Sequence, residues 1–468
     1  MADQDDDTIL REREVDEGRD AYALDEGLRG ELKALVAAGD VAAIDALMEP
    51  LHAADIADLL EQVSDGERAA WLGLWSKGID GEVLSELDWG LREEVIALLP
   101  EQVLADAVRE LDSDDVVDLV EDLEDEQIEQ ILDALEPADR VAVERALAYP
   151  EETAGRLMQR EVVHAPEHWT VGEMIDHLRA HKRDLPEQFY HVILTDPRMK
   201  PTGYVTLGRL LSSARKTELR EIVEDSFRTI PATQHEDDVA YAFNQYHLIS
   251  APVVDEDGRL VGVITIDDAM IVLDEAAEED LLKLAGVGEE SSLSDRVIET
   301  TKQRFPWLFV NLITAILASL VISQFEAAIA QIVALAVLMP IVASMGGNAG
   351  TQSLTVAVRA IATRDLTRSN LVRVVLREGA VGLINGAVFA VVMGVIGLFW
   401  FGNPMLGAVI AAAMIINLLV AGLAGILIPV ALDRLNIDPA LASGAFVTTV
   451  TDVVGFFAFL GLAVLVLL

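Results

Sequence analysis

The 468-residue chain contains no cysteine, which excludes disulfides and thiolate metal centres and fits a cytosolic setting for its soluble part. It is also short of positive charge, with 34 Lys and Arg against 79 Asp and Glu and a formal net charge of -45. Such a surface repels nucleic acid and concentrates cations, so no nucleic-acid partner is expected. The opening residues, Met-Ala-Asp-Gln-Asp-Asp-Asp, lack the basic and apolar regions of a secretory signal, and no cleaved signal is expected. Catalytic dyads, metal-hydrolase motifs and phosphate-binding glycine loops are missing, which argues against an enzyme.

What is present falls into two unlike parts. From Thr300 onward eight Lys and Arg face six acids, a net +2, so residues 1–299 carry -47. An acidic, water-soluble front is therefore joined to an apolar back that reads as membrane-embedded.

Residues 1–30 are charged, poor in large apolar side chains and expected to be frayed. Over 31–150 leucine recurs every twelve residues, at Leu87, Leu99, Leu111, Leu123, Leu135 and Leu147. That interval predicts short helices and tight turns stacked into an all-α superhelix. Its outer face is dense in acid, with Asp112, Asp114, Asp115, Asp118, Glu121, Asp122, Glu124 and Asp125. After Tyr149-Pro150, β-branched runs alternate with helical ones, and two similar halves (about 151–218 and 219–272) align. The first contains His191-Val-Ile-Leu and Gly203-Tyr-Val-Thr-Leu; the second contains Ala251-Pro-Val-Val and Gly262-Val-Ile-Thr-Ile-Asp-Asp268. This α/β repeat resembles a tandem CBS-domain pair. The resemblance implies that Thr265 and Asp268 hold a nucleotide ribose, with ATP as the ligand. In the first half Arg209 stands where the acid would be, so a site there is not expected, and a purely dimerising pair is the other reading. His177 and His181 have the i, i+4 spacing of a helical metal chelate but no third ligand nearby in sequence, so exposed surface is the default for them. Residues 273–304 read as a connecting helix of amphipathic character along the membrane face.

Residues 305–468 supply five apolar stretches long enough to span a bilayer: Trp307–Phe325, Ala327–Met345, Gly379–Phe401, Met405–Leu432 and Gly444–Leu468. The basic run Arg359, Arg364, Arg368, Arg373 and Arg377, with Arg434 and Lys302/Arg304, places the N-terminal domains in the cytoplasm and the C-terminus outside. At the end of the second stretch Pro340 to Gln352 reads Pro-Ile-Val-Ala-Ser-Met-Gly-Gly-Asn-Ala-Gly-Thr-Gln, a helix-breaking insert. It is either pore wall, where protein or water satisfies the backbone, or a turn just past the lipid. Asp452 stands inside the last stretch beside Thr448, Thr449 and Thr451. A carboxylate at that depth costs about 3 kcal/mol to insert and marks an ion path unless it caps a helix that starts late. Asn311, Asn385 and Asn417 are further polar candidates, read first as helix-packing contacts. Carboxylate, amide and carbonyl oxygens without Cys or a His cluster favour Mg²⁺, Ca²⁺ or Mn²⁺. One carboxylate per chain suits Mg²⁺, which keeps its waters, and two copies would bring two carboxylates to one ion.

Arg304-Phe-Pro-Trp-Leu308, Gly346-Gly-Asn-Ala-Gly-Thr-Gln352 and Thr451-Asp452-Val-Val-Gly-Phe456 together resemble the MgtE magnesium transporters and channels, over nearly the whole chain. The resemblance implies a homodimer in the lipid bilayer with its pore between subunits and Asp452 binding hydrated Mg²⁺. Pro340, Gly346, Gly347, Asn348, Thr448 and Thr449 would line that pore. It also implies closure by Mg²⁺ at acidic cytosolic interfaces, for which Asp114, Asp118, Asp268, Glu275, Glu279 and Asp280 are the expected acids. Competing readings are a CBS-regulated carrier of Mn²⁺, Co²⁺ or Ca²⁺, and a membrane-anchored nucleotide or Mg²⁺ sensor that conducts nothing.

Overall fold

The computed structural model describes residues 26–287 and 297–468, apart from Asp122, Glu124, Arg183, Asp184, Glu187, Asp225 and Ser226. Most of the N-terminal stretch expected to be frayed, part of the acidic face and residues 288–296 of the connecting segment thus lie outside the described residues. The chain divides into two compact units, 1–273 and 274–468.

The first unit opens with short helices: α1 (Glu26–Ala38), α2 (Val41–Met48), α3 (Ala53–Gln62), α4 (Asp65–Trp75), α5 (Gly81–Ser85), α6 (Trp89–Leu98), α7 (Glu101–Val108), α8 (Ser113–Glu121), α9 (Asp125–Ala134) and α10 (Pro137–Ala146). Each leucine of the twelve-residue series falls just past the end of one of these helices, and all six belong to one core. The repeat is therefore one helix and its turn, with leucine as the plug that closes each turn onto the seam. Arg68 is buried because its guanidinium bonds the carbonyls of Leu60 (3.0 Å) and Val63 (3.1 Å) at the end of α3 and pairs with Glu94 (3.0 Å). A cation there satisfies carbonyls that the helix leaves open.

The CBS halves follow as α11 (Ala154–Leu157), β1 (His164–Pro166), α12 (Val171–Ala180), β2 (His191–Thr195), β3 (Pro201–Thr206) and α13 (Leu207–Ser212), then β4 (Ile230–Pro231), α14 (Glu236–Tyr246), β5 (Ser250–Val254), β6 (Leu260–Thr265) and α15 (Ile266–Ala285). Both sheets have the same plan: a parallel pair, β1 with β2 and β4 with β5, followed by an antiparallel pair, β2 with β3 and β5 with β6. Even the register shift recurs, at Leu194/Thr195 and Val253/Val254. The internal repeat read from the sequence is thus a β-α-β-β-α unit used twice.

Among the described residues of the second unit five helices are long and apolar enough to cross a membrane. After α16 (Val297–Ser323) and the short α17 (Glu326–Gln331) come α18 (Ala334–Ala362), α19 (Leu371–Phe401), α20 (Pro404–Arg434) and α21 (Pro439–Leu467). The α19–α20 turn is built as its sequence dictates. Gly402 takes φ +64°, Asn403 caps α20 by accepting from the Met405 (2.9 Å) and Leu406 (3.2 Å) amides, and Pro404 is the first helical residue. The second span departs from expectation. Its helix starts at Ala334, and Pro340 to Gln352 lies inside α18 instead of breaking it. Hydrocarbon forces the backbone to satisfy itself, so the segment stays helical and its glycines become points of close helix approach.

Candidate functional site

Helix α18 has two unlike faces. Gly346, Gly350, Ser353 and Leu354 are buried against neighbouring helices, whereas Ser344, Asn348, Thr351, Gln352 and Thr355 form an exposed polar stripe. Gly350 packs on Val447 and Thr451 of α21: a Cβ there would meet Val447 Cγ1 at 2.5 Å and Thr451 Cγ2 at 3.5 Å. This contact seats the polar stripe of α18 beside the segment that carries Thr448 and Asp452. Asp452 is partly exposed, fourteen residues into the 29-residue α21, so it is not a cap of that helix; Asp438 is. Its carboxylate makes no hydrogen bond or ion pair among the described residues.

The neighbouring hydroxyls are turned to serve as acceptors. Thr448 donates to the Gly444 carbonyl (3.0 Å), Thr449 to that of Ala445 and Thr451 to that of Thr448 (3.0 Å). With their protons committed to the helix, the partly exposed Thr448 and Thr449 oxygens offer lone pairs, which suits hydrated cations, while Thr451 is buried. Asn348 reaches Ser344 Oγ at 3.5 Å, and Gly347 has open space where a side chain would be. Pro340 sits two turns before Asn348 on the same helix. Among the three asparagines, Asn311 and Asn385 are exposed and Asn417 is buried. Two polar contacts of this unit escaped the sequence reading. Ser353 donates to Glu378 Oε2 (3.0 Å), linking α18 to α19, and Lys283 at the end of α15 pairs with Asp438 Oδ2 (2.7 Å).

In the first unit the structure gathers acids from distant parts of the sequence. Helix α8 docks on the segment leading into the first CBS half: Ser113 donates to Glu161 (2.8 Å), Gln159 to Asp112 (3.3 Å), and Arg156 pairs with Glu121 (2.9 Å). This brings Asp112, Asp114 and Asp115 near Asp267 and Asp268 at the start of α15. Burial, then the charge of Asp268, pushes Asp114 well above the usual carboxylate range and Asp115 up to about 7. Asp268 is raised to about 6, chiefly by burial and against the hydrogen bond from Thr265. These carboxylates repel one another in a poorly solvated place, which a divalent cation would relieve.

The remaining expected acids are differently placed. Asp118 is exposed and pairs with Arg92 (2.9 Å), Glu279 pairs with Lys283, and Glu275 and Asp280 lie further along α15. Asp115 belongs to the cluster although only its neighbours Asp114 and Asp118 stood out as sensors; what revealed it is proximity, not spacing. Among the described residues no three His, Asp or Glu side chains form a metal cage. His177 and His181 lie 4.2 Å apart between ring centroids with their planes tilted by 38°, and His181 Nδ1 is spent on the His177 carbonyl (3.0 Å), so the pair does not present a chelate. At the start of α15 Thr265 donates twice to Asp268 Oδ2, from its amide (3.3 Å) and from Oγ1 (2.7 Å). In the first half Thr206 Oγ1 donates instead to Glu224 Oε1 (3.3 Å), a carboxylate from further along the chain that Arg209 also pairs with (3.4 Å).

Comparison with known proteins agrees with this layout. The model of the MgtE divalent cation transporter matches residues 339–462, that of the MgtE intracellular N domain matches 51–152, and the CBS domain matches 154–216 and 219–275. The magnesium transporter MgtE of Thermus thermophilus is 32% identical over 458 residues, covering 95% of this chain and 99% of that protein. Its counterpart in Enterococcus faecalis is 34% identical over 321 residues, 69% of this chain and 70% of that protein. A crystal structure of the cytosolic domain of the Mg²⁺ channel MgtE in complex with ATP is 30% identical, with a TM-score of 0.49, covering 52% of this chain and 99% of that one. With a helical N domain and a CBS pair followed in sequence by membrane-length helices that carry Asp452 and the polar stripe of α18, the chain belongs to the MgtE family of magnesium transporters.

Proposed function

We propose that the chain is a Mg²⁺-selective channel whose pore forms between two copies in the membrane and closes when Mg²⁺ binds its acidic cytosolic domains. The observation that carries this reading is the unpaired Asp452 carboxylate inside α21, next to a stripe of exposed polar side chains on α18. Neither feature is stable against lipid. A second copy across the stripe would turn it into a water-filled wall, and two Asp452 carboxylates would then face one hydrated cation. Gly347, Asn348, Thr448 and Thr449 lie on that wall, with Pro340 further along α18.

Closure draws on the same electrostatics. Asp114, Asp115 and Asp268 crowd together at a cost that falls when a divalent cation shares their charge, so Mg²⁺ favours the docked arrangement of α8 and α15. Asp118, Glu275, Glu279 and Asp280 extend the acidic surface along these helices. The exposed Arg364 and Arg368 between α18 and α19, with Arg373 and Arg377 in the first turns of α19, orient the acidic domains toward the cytoplasm and the C-terminus outward. ATP is the ligand proposed for the second CBS half, where a ribose hydroxyl would replace Thr265 Oγ1 on the Asp268 carboxylate; loss of ATP binding in Asp268→Asn tests it.

The reading as a whole is tested by entry of Mg²⁺, Mn²⁺, Co²⁺ and Ca²⁺ into liposomes holding the purified chain, with and without Mg²⁺ on the side of the acidic domains. Mg²⁺ entry that is fastest among the four and suppressed by that Mg²⁺ is the expected result. Faster entry of another divalent would favour a different carrier, and no entry at all would favour a sensor.

A further inference from the structure

Asn417 is fully buried on α20, and its carboxamide is wedged between two glycines of different helices. Its Nδ2 donates to the Val342 carbonyl of α18 at 2.8 Å. One turn on, a Cβ at Gly346 would collide with the same carboxamide, and on α21 a Cβ at Gly455 would stand 2.8 Å from Nδ2 and 3.1 Å from Oδ1. Gly455 lies one turn from Asp452, and Gly346 lies two residues from Asn348. One side chain therefore spans the two helices that carry the polar stripe and the carboxylate.

Packing alone does not explain an asparagine here. Its Oδ1 is buried and has no hydrogen-bond partner among the described residues, a cost that an apolar side chain filling the same notch would avoid. What the amide adds is a directional bond that fixes the separation of α18 from α20 while its flat face bears on Gly455 of α21.

We propose that Asn417 is a positioning residue of the ion path: it sets the gap between the polar face of α18 and Asp452, and that gap selects Mg²⁺ from other divalent ions. The inference rests on the assignment of Asp452 as the ion-binding carboxylate. Mg²⁺ keeps its water shell where Ca²⁺ gives its own up readily, so a fixed gap favours Mg²⁺ and a loosened one admits Ca²⁺.

The test measures Mg²⁺ and Ca²⁺ entry into the same liposomes for the full chain and for Asn417→Leu, Asn417→Asp and Asn417→Ser, with thermal unfolding of each as the control for folding. Leu keeps the branched shape but cannot donate to Val342, whereas a buried Asp is protonated and can still donate through its O–H, so it is the conservative variant. The Mg²⁺-to-Ca²⁺ entry ratio is expected to fall about fivefold or more in folded variants that lose this bond, the size of one hydrogen-bonded constraint. A wild-type ratio in folded Asn417→Leu overturns the proposal. So does failure of all three to fold, which would make Asn417 a packing residue only. Asp452→Asn, run in parallel, separates the two inferences. If it conducts Mg²⁺ normally, the assignment of Asp452 falls and this one with it. If it abolishes entry while the Asn417 ratio stays at wild type, only the present proposal falls.

Discussion

Lys283 Nζ lies 2.7 Å from Asp438 Oδ2, with its side chain only 10% exposed, and this pair fastens the end of α15 to the start of the helix that bears Asp452. Lys283 also pairs with Glu279, and Leu284 packs with Ala440 and Val447 of α21. Burial lowers the pKa of Lys283, but Asp438 and Glu279 outweigh burial and raise it, so the ammonium stays charged at neutral pH. Asp438 has a second task, since its Oδ1 accepts from the Ala440 amide (2.7 Å) and caps α21.

The two tasks separate by substitution. Asp438→Asn keeps a capping oxygen and loses the charge, whereas Asp438→Ala loses both. Unfolding of the purified protein in detergent is expected to rank wild type above Asn above Ala, with about 1 kcal/mol between the two variants for the cap. Equal losses would show that the cap contributes nothing.

The acid cluster predicts a pH dependence with a definite sign. Folding raises Asp115 from 3.8 to about 7 and Asp268 from 3.8 to about 6, so between those limits the docked state holds more protons than the unfolded chain. Its stability from these groups is complete below pH 3.8 and is lost as pH rises through 6 and 7. Without divalent ions, protease resistance of the acidic domains should therefore rise as pH falls from about 8 to about 6. With millimolar Mg²⁺ the dependence should flatten, because the cation replaces the protons. A profile rising with pH in the absence of Mg²⁺ would contradict the clustering.

Glycines in the membrane helices divide into those that a neighbour touches and those that face open space. A Cβ at Gly382 would stand 2.5 Å from the Leu418 carbonyl oxygen, part of a backbone that cannot yield, whereas Gly461 has nothing within 4 Å. Gly382→Ala should destabilise the α19–α20 pair by about 2 kcal/mol and Gly461→Ala by almost nothing. Gly347→Ala belongs with Gly461 in stability, so a change in its Mg²⁺ flux would report on the ion path.

Patterned features were the most legible in the sequence. The twelve-residue leucine series, the doubled α/β unit and the apolar spans each repeat a local rule, and local rules are what a sequence displays. Pro340 to Gln352 was misread because proline and glycine weaken helices in water, whereas within the membrane α18 absorbs them by packing Gly346 on Asn417 and Gly350 on Val447. The role of Asn417 was hidden for a related reason, since three asparagines look alike until burial separates one from two exposed ones. Which acids cluster was also beyond spacing, because Asp115 and Asp268 lie more than a hundred residues apart and meet only through the docking of α8.

The most direct test of the account is Mg²⁺ entry into liposomes through wild type, Asp452→Asn and Asp452→Ala. Both variants should fold as wild type does and lose entry by about tenfold or more, the loss expected when a charged acceptor is removed. Undiminished Mg²⁺ entry in both would contradict the placement of the ion path at Asp452.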